Sequence, residues 1–244
     1  MTPRSVLAGA GAVALAALLL TGCASTSGGA ATPSPTGSST QAIEPDPDLG
    51  AAWLDNGRMI GLVTLGSSTC VPVAEEPQLD DDGVLQVTFV APEATQPCTS
   101  DLVPRVTLVG VPEEVDPELD LTIEVTGEDY FGQVDLAGVP GLAPGGETDY
   151  LPSAGWASVA GQFVILTWGS SGCPPVIESV EATGETEVTV TYQTPPADQA
   201  CTMDMAPRAA VAAVNDMAVS SDIEAILTGA EFDNVRVPIY GTNS

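Results

Sequence analysis

The chain has 244 residues and carries 33 acidic side chains against 5 basic ones, a formal net charge of −28. All five basic residues are arginine, which excludes a Ser-His-Asp triad, an imidazole metal ligand, a lysine Schiff base and a P-loop. A charge this negative also repels nucleic acid. Hydrophobic residues make up 44% of the chain, which is enough to build a folded core.

Residues 1–22 have the pattern of a lipoprotein signal peptide. Arg4 is the only charged side chain before Glu44, and an apolar stretch rich in alanine and leucine follows it. That stretch is too short for an ordinary membrane span and suits the hydrophobic region of a secretory signal. It runs into the sequence Leu-Thr-Gly-Cys, ending at Cys23, which resembles the lipobox of bacterial lipoproteins.

The lipobox resemblance implies that Cys23 is lipidated. In that family the thiol takes a diacylglycerol and a signal peptidase then cuts before it, so Cys23 would become the mature N-terminus. Two or more acyl chains give stable anchoring, whereas one gives only marginal binding. We therefore expect a cell-membrane protein, lipid-anchored on the extracytoplasmic face. An ordinary signal peptide or an anchor helix with an incidental cysteine is the alternative.

Residues 23–50 are predicted to form a disordered tether. Serine, threonine, glycine, proline and alanine dominate them, and almost nothing there can be buried. A flexible chain of this length spans roughly 25–30 Å.

The rest of the chain is a duplication. When the sequence is shifted by 103 residues, Trp53 falls on Trp156, and 19 of the 53 positions from 53 to 105 are identical without a gap. Chance would give only a few such identities. We therefore predict two tandem domains, the first copy at 51–145 and the second copy at 146–244.

The periodicity within each copy is that of β-strands. Apolar residues alternate with threonines over 188–192, a period typical of a half-buried antiparallel strand. The stretches 59–65 and 162–168 are more uniformly apolar, as in a central strand. Five to seven short strands in about 95 residues predict an all-β fold of two tandem β-sandwich-like domains. Alanines blur the period over Ala209–Ala213, where a short helix is the alternative.

The cysteines are predicted to form one disulfide in each copy. Apart from Cys23 the chain has four cysteines, which allow three pairings. Each copy has one pair at a spacing of 28 residues, which favours Cys70–Cys98 and Cys173–Cys201. A crossed pairing would tie two self-similar units together for no local reason. A four-cysteine metal site is disfavoured because no Cys-x-x-Cys pair exists and because the protein is exported. Removing one disulfide should then destabilise mainly its own domain, so that the two melt separately.

A motif accompanies the cysteines. It reads Gly-Ser-Ser-x-Cys-Pro … Cys-Thr-x-Asp-x-x-Pro and begins at Gly169 in the second copy, while the first copy has Val71 where the second has Pro174. The motif is similar to one in secreted and lipid-anchored proteins of high-GC actinobacteria. The resemblance implies location and fold, and no activity.

Other candidate sites have plain structural interpretations. The run Asp-Asp-Asp-Gly at 80–83 resembles a cation loop but lacks the oxygen spacing of a calcium site, which favours a solvated hairpin turn. Asp101 with Arg105 recurs in the second copy as Asp204 with Arg208, which favours a structural ion pair or turn cap over a catalytic pair.

The aromatic residues that open each copy, Trp53 and Trp156, favour packing over an exposed ligand platform. No residue pattern indicates a catalytic residue, a metal site or a cofactor. The sequence thus predicts a non-catalytic binding or structural module on the membrane, with a cell-wall glycan or a basic protein as partner. The alternative is a carboxylate-based extracellular hydrolase.

Overall fold

The computed structural model of the protein describes residues 46, 48–92, 97–127, 130–215 and 217–243. Within them the chain is all-β apart from one short 3₁₀ turn at Asp55–Gly57, which confirms the all-β part of the prediction. None of the described residues forms a helix long and apolar enough to cross a membrane. The predicted signal peptide, Cys23 and nearly all of the predicted tether lie outside this part of the chain.

Eight of the described strands belong to the first copy and seven to the second. Those of the first copy are β1 Gly50–Leu54, β2 Met59–Gly66, β3 Val73–Ala74, β4 Gln78–Leu79, β5 Val84–Val90, β6 Val103–Gly110, β7 Leu121–Gly127 and β8 Tyr130–Leu136. Those of the second copy are β9 Ser153–Trp156, β10 Gln162–Gly169, β11 Ile177–Ala182, β12 Glu187–Tyr192, β13 Ala206–Ala213, β14 Glu224–Gly229 and β15 Phe232–Tyr240.

Each copy repeats the same strand order. In the first copy one sheet has the order β1-β2-β6 and another the order β3-β5-β7-β8, with β4 also paired to β5. The second copy has the equivalent orders β9-β10-β13 and β11-β12-β14-β15. There the two sheets join into one of seven strands, because the end of β15 pairs in parallel with β9. As predicted, β2 and β10 are central strands.

Two details differ from the sequence predictions. β5 pairs with β7, and β12 with β14, in parallel rather than antiparallel orientation. The strand between the members of each pair crosses to the other sheet, so the two run in the same direction. The alanine-rich stretch 209–213 is part of strand β13 and not a helix, because β13 pairs with β10 along its whole length.

The apolar residues fall into three clusters. One lies between the two sheets of the first copy and includes Trp53, and its equivalent in the second copy includes Trp156. The third, here called the shared cluster, lies between the copies. Its buried members are Ala52, Leu54 and Val63 of the first copy and Ala157, Val164 and Leu166 of the second.

The shared cluster explains why the central strands are apolar on both faces. Successive residues of a strand point to opposite sides, so Trp53 enters the core of its own copy while Leu54 enters the shared cluster. The three-stranded arrangements of both copies are therefore buried on both faces. The result is one stack of sheets within a single compact unit.

The folded part begins before the predicted domain start at 51. Leu49 is only 2% exposed, and Gly50 is the first residue of β1. Upstream of them, Asp46 accepts a hydrogen bond from the Tyr130 hydroxyl at 3.2 Å. The last residues assigned to the tether therefore belong to the fold.

Candidate functional site

Both predicted disulfides are present. Cys70 is bonded to Cys98 and Cys173 to Cys201, each across a separation of 28 residues. Each bridge links the loop after the central strand of its copy, β2 or β10, to the loop before the edge strand β6 or β13. The motif shared by the two copies surrounds these bridges.

The serine, threonine and aspartate of the motif form a hydrogen-bond network around each disulfide. In the second copy the backbone N–H of Ser171 donates to Asp204 at 3.1 Å, and that of Gly172 donates to the Thr202 hydroxyl at 3.1 Å. In the first copy the N–H of Ser68 donates to the equivalent aspartate at 3.2 Å. The network fixes the loop, which accounts for the recurrence of these residues.

The network keeps both aspartates charged. The hydroxyl of Thr99, and after it Ser68, lowers the pKa of Asp101 to about 2. In the second copy Ser171 is the largest cause of the lowering of the pKa of Asp204 to about 2. The predicted turn cap is confirmed for both.

The predicted aspartate–arginine ion pair is wrong for the second copy. Arg208 pairs with Glu231 at 2.7 Å instead, because the side chain of Asp204 is turned toward the loop backbone. Arg208 also donates to the carbonyl oxygens of Cys173 at 3.2 Å and Trp168 at 3.0 Å. In the first copy Arg105 likewise donates to the carbonyl oxygen of Cys70. Both arginines therefore join an edge strand to its disulfide loop.

An open cleft lies beside the second disulfide and is here called the Cys173 cleft. Its volume is about 400 Å³, within the range of small-ligand pockets. Its apolar lining includes Pro174, Pro175, Val176, Pro195 and Pro196, and its polar side chains include Ser170, Gln193, Thr194, Gln199, Arg208 and Glu231.

Arg208 forms a buried, charged wall of the cleft. Its side chain is only 8% exposed, whereas that of its partner Glu231 is 49% exposed. The Nε atom of Arg208 is buried and has no hydrogen-bond partner among the described residues. The guanidinium charge is balanced by Glu231, which binds it through one carboxylate oxygen and remains half-exposed.

The two copies differ at the positions that line the cleft. The first copy has Val71 for Pro174, and it has Val90 and Ala91 where the second has Gln193 and Thr194. The disulfide, the arginine and the proline and valine that follow the first cysteine are common to both. Sequence reasoning did not identify this cleft. The signal was the exchange of apolar for polar residues at 193 and 194, between the two halves of the shared motif.

The acidic run at 80–83 is a hairpin turn between β4 and β5, as predicted. The carboxylate of Asp80 accepts hydrogen bonds from the N–H groups of Asp82 at 3.0 Å and Val84 at 2.9 Å. Across the part of the chain that the structure describes, no three metal-ligating side chains come together.

The two equivalent tryptophans are packing residues. Trp53 is 1% and Trp156 4% exposed, so the alternative of an exposed ligand platform is wrong. The indole N–H of Trp53 donates to the carbonyl of Ala137 at 3.0 Å. That of Trp156 is buried with no partner among the described residues.

A second cleft, of about 270 Å³, brings carboxylates together where the copies meet. Asp55 and Asp149 both line it. Asp55 is 5% exposed, and its carboxylate binds Arg58 through both oxygens and accepts the Thr148 hydroxyl at 3.0 Å. Its backbone N–H donates to the hydroxyl of Ser153 at 2.8 Å. Asp55 is thus fully engaged in holding the two copies together.

The protein was compared with family models, with curated proteins and with solved structures, and no match was found in any of the three.

Proposed function

We propose that this protein is a non-catalytic binding module, lipid-anchored through Cys23 to the extracytoplasmic face of the cell membrane, and that the Cys173 cleft is its ligand site. The observation that carries the proposal is the cleft itself, about 400 Å³ with apolar and polar walls. A rigid frame surrounds it, since the disulfide and Arg208 fix its loops. Binding to a preformed cleft loses less conformational entropy than binding to a mobile loop.

The proposal treats each copy as a sandwich-like unit derived from one ancestral module. In support, each copy places an apolar cluster between its three-stranded and four-stranded arrangements. After a duplication, the surface residues of one copy can change while both copies retain the disulfide and the arginine that hold the loops. The lining differences at Gln193 and Thr194 are the changes expected of a copy that has acquired a ligand.

Two features support the proposed location. Disulfides form and persist in oxidising, extracytoplasmic environments, and this protein has two. The tether would hold the folded part beyond about one Debye length, roughly 8 Å at physiological salt, so its negative charge would not oppose anchoring to an anionic membrane. The partners proposed on this basis are a cell-wall glycan or a protein with a basic patch.

The carboxylate-based hydrolase receives less support from the site geometry. A glycosidase of the usual type needs two carboxyl groups flanking the scissile bond. Glu231 is the acidic residue that lines the Cys173 cleft, and it is paired with Arg208. In the second cleft Asp55 is held by Arg58 and Thr148.

The test combines NMR mapping with activity assays on the full-length chain. Oligosaccharides and short peptides are titrated into the labelled protein, and glycoside, ester, phosphoester and peptide substrates are assayed in parallel. We expect a ligand that shifts the signals of Gln193 and Val176 without turnover. Failure of every ligand to shift signals of the cleft would contradict the proposal. Turnover that disappears in Glu231→Gln, with the fold retained, would establish the hydrolase instead.

A further inference from the structure

We infer that the Cys173 cleft binds a protein segment in which an apolar side chain is flanked by lysine or arginine. This inference rests on the proposed function, because it assigns a ligand class to the same cleft. Three observations carry it: the apolar surface at the cleft, the carboxylates around it, and the engagement of every arginine in the described part of the chain.

The apolar surface is unusually exposed. Val176, which lines the cleft, is 54% exposed. Met203 and Met205, two and four residues after Cys201, are 103% and 62% exposed. Methionine is flexible and polarisable and is common on surfaces that bind protein segments. Val176 and the four prolines of the lining offer an apolar contact area, and the two methionines lie in the loop that follows Cys201.

The apolar surface is of a kind that suits a protein segment better than a sugar. Prolines and valine provide it, whereas sugar sites commonly stack the ring on an aromatic side chain. Trp168 belongs to the lining, but it packs against the shared cluster and makes an edge contact with Tyr150 at a ring distance of 5.2 Å. The indole ring of Trp168 is therefore already packed against other side chains of the protein.

One carboxylate lines the cleft and others lie close to the lining residues along the chain. Glu231 lines the cleft, and one of its oxygens remains available beside the pair with Arg208. Glu178 and Asp198 are exposed and lie within two residues of lining residues along the chain. A cation on either side of a bound apolar side chain would find a carboxylate partner at the rim.

The arginines of the described part offer little competition for these carboxylates. Arg58 is bonded to Asp55, Arg208 to Glu231, and Arg236 to Glu187 at 2.8 Å and to Glu224 at 3.0 Å. Arg105 donates to main-chain carbonyl groups of its own disulfide loop. With a formal net charge of −28, the field of the whole protein attracts a cationic segment and repels an acidic one.

The test measures the affinity of the full-length chain for three capped pentapeptides that share the core Leu-Val-Leu and have lysine, serine or glutamate at both ends. We expect the lysine peptide to bind at least about tenfold more tightly than the serine peptide, and the glutamate peptide to bind too weakly to measure. Binding of the lysine peptide should weaken as salt rises.

A matched pair of variants separates the cleft from general attraction to an acidic protein. Val176→Lys and Val73→Lys place the same charge at equivalent positions, and the two valines are 54% and 53% exposed. We expect Val176→Lys to weaken binding by about tenfold or more and Val73→Lys to change it little. Both sites are on the surface, so neither variant should unfold the protein.

Four results would overturn the inference. Equal losses in the two lysine variants would show that net charge, and not the cleft, binds the peptide. Equal binding of the lysine and serine peptides would contradict the role of the carboxylates. Binding of an N-acetylglucosamine oligomer that Val176→Lys abolishes, with no peptide binding, would replace the ligand class and leave the proposed function standing. Failure of peptides and sugars alike would count against the proposed function as well.

Discussion

The backbone N–H of Asp55 donates a hydrogen bond to the hydroxyl of Ser153 at 2.8 Å, so the hairpin turn of the first copy is bonded directly to the first strand of the second. Both residues are 5% exposed. The shared cluster lies on the same side of these strands, with Leu54 and Leu166 both fully buried in it. The copies therefore share buried polar and apolar contacts.

The shared contacts predict a single unfolding transition for the folded part. Leu54→Ala should reduce the free energy of unfolding by about 2–5 kcal/mol, because it leaves a cavity between the copies. Denaturant unfolding is followed by tryptophan fluorescence and by far-UV circular dichroism. The curves from the two probes should coincide with each other, both for the wild type and for the variant. Two separated transitions would instead restore the expectation of independent domains.

Gly155 provides an independent test of the contact between the copies. A Cβ atom added there would overlap the carbonyl oxygen of Trp53 on the facing strand. Gly155→Ala should therefore lower the melting temperature markedly, since backbone atoms cannot move aside as a side chain can. Gly145→Ala is the control, because nothing lies within 4 Å of an added Cβ. Equal melting temperatures of the two variants would contradict the close approach.

Each disulfide should contribute to stability by constraining the unfolded chain. Replacing Cys173 and Cys201 together by serine removes a bridge across 28 residues and should cost about 3–4 kcal/mol. The matched double replacement of Cys70 and Cys98 should cost a similar amount, because the loops are of equal length. Chemical denaturation under non-reducing conditions measures both. If only one of the two variants lost stability, strain in the folded protein or residual structure in the unfolded chain would outweigh the effect of chain entropy.

The two motif aspartates, Asp101 and Asp204, should make the free energy of unfolding depend on pH. Their pKa values are lowered to about 2 in the fold, so they bind protons less readily there than in the unfolded chain. Their contribution is therefore complete above the ordinary aspartate pKa of about 4 and is lost as the pH falls toward about 2.

The variants Asp101→Asn and Asp204→Asn isolate this effect from the protonation of the many other carboxylates. The difference in melting temperature between wild type and variant should be largest near neutral pH and should shrink between about pH 4 and pH 2. A difference that does not vary with pH would show that the carboxylate charge contributes nothing to the loop.

Lipidation at Cys23 is tested by fractionation and mass spectrometry. Cys23→Ala should release the protein from membranes or leave its signal uncut, because the acyl chains have no acceptor thiol. The mature wild-type protein should begin at Cys23 with acyl chains attached. A mature N-terminus elsewhere, without lipid, would contradict the prediction.

The sequence indicated which residues form strands, but not how the strands cross between sheets. Alternation over 188–192 and the apolar run over 162–168 predicted β12 and the centre of β10 well, because side-chain burial alone determines those patterns. The parallel pairing of β12 with β14 depends on where the chain crosses between sheets, and no local pattern records that. The alanines of β13 have little strand preference of their own and depend on pairing with β10.

Of the candidate site, only the disulfides that hold its loops could be predicted from the sequence. Equal cysteine spacing led to the correct disulfides, because a duplicated unit repeats its own bridge. The partner of Arg208 could not be read from the motif, since Glu231 lies 23 residues away and reaches it only through the fold. The lining of the cleft comes from loops that approach one another only after the sheets have formed.

The placement of the arginines has a consequence for resistance to proteolysis. The chain has no lysine, and each arginine in the part that the structure describes lies within a strand or immediately before one. Proteases that cut after lysine or arginine need a local stretch of extended, accessible chain, which a hydrogen-bonded strand does not offer. For the folded part, the rate of such digestion would then follow the rate or extent of global unfolding. The described part should thus persist among secreted trypsin-like proteases for as long as its sheets remain intact.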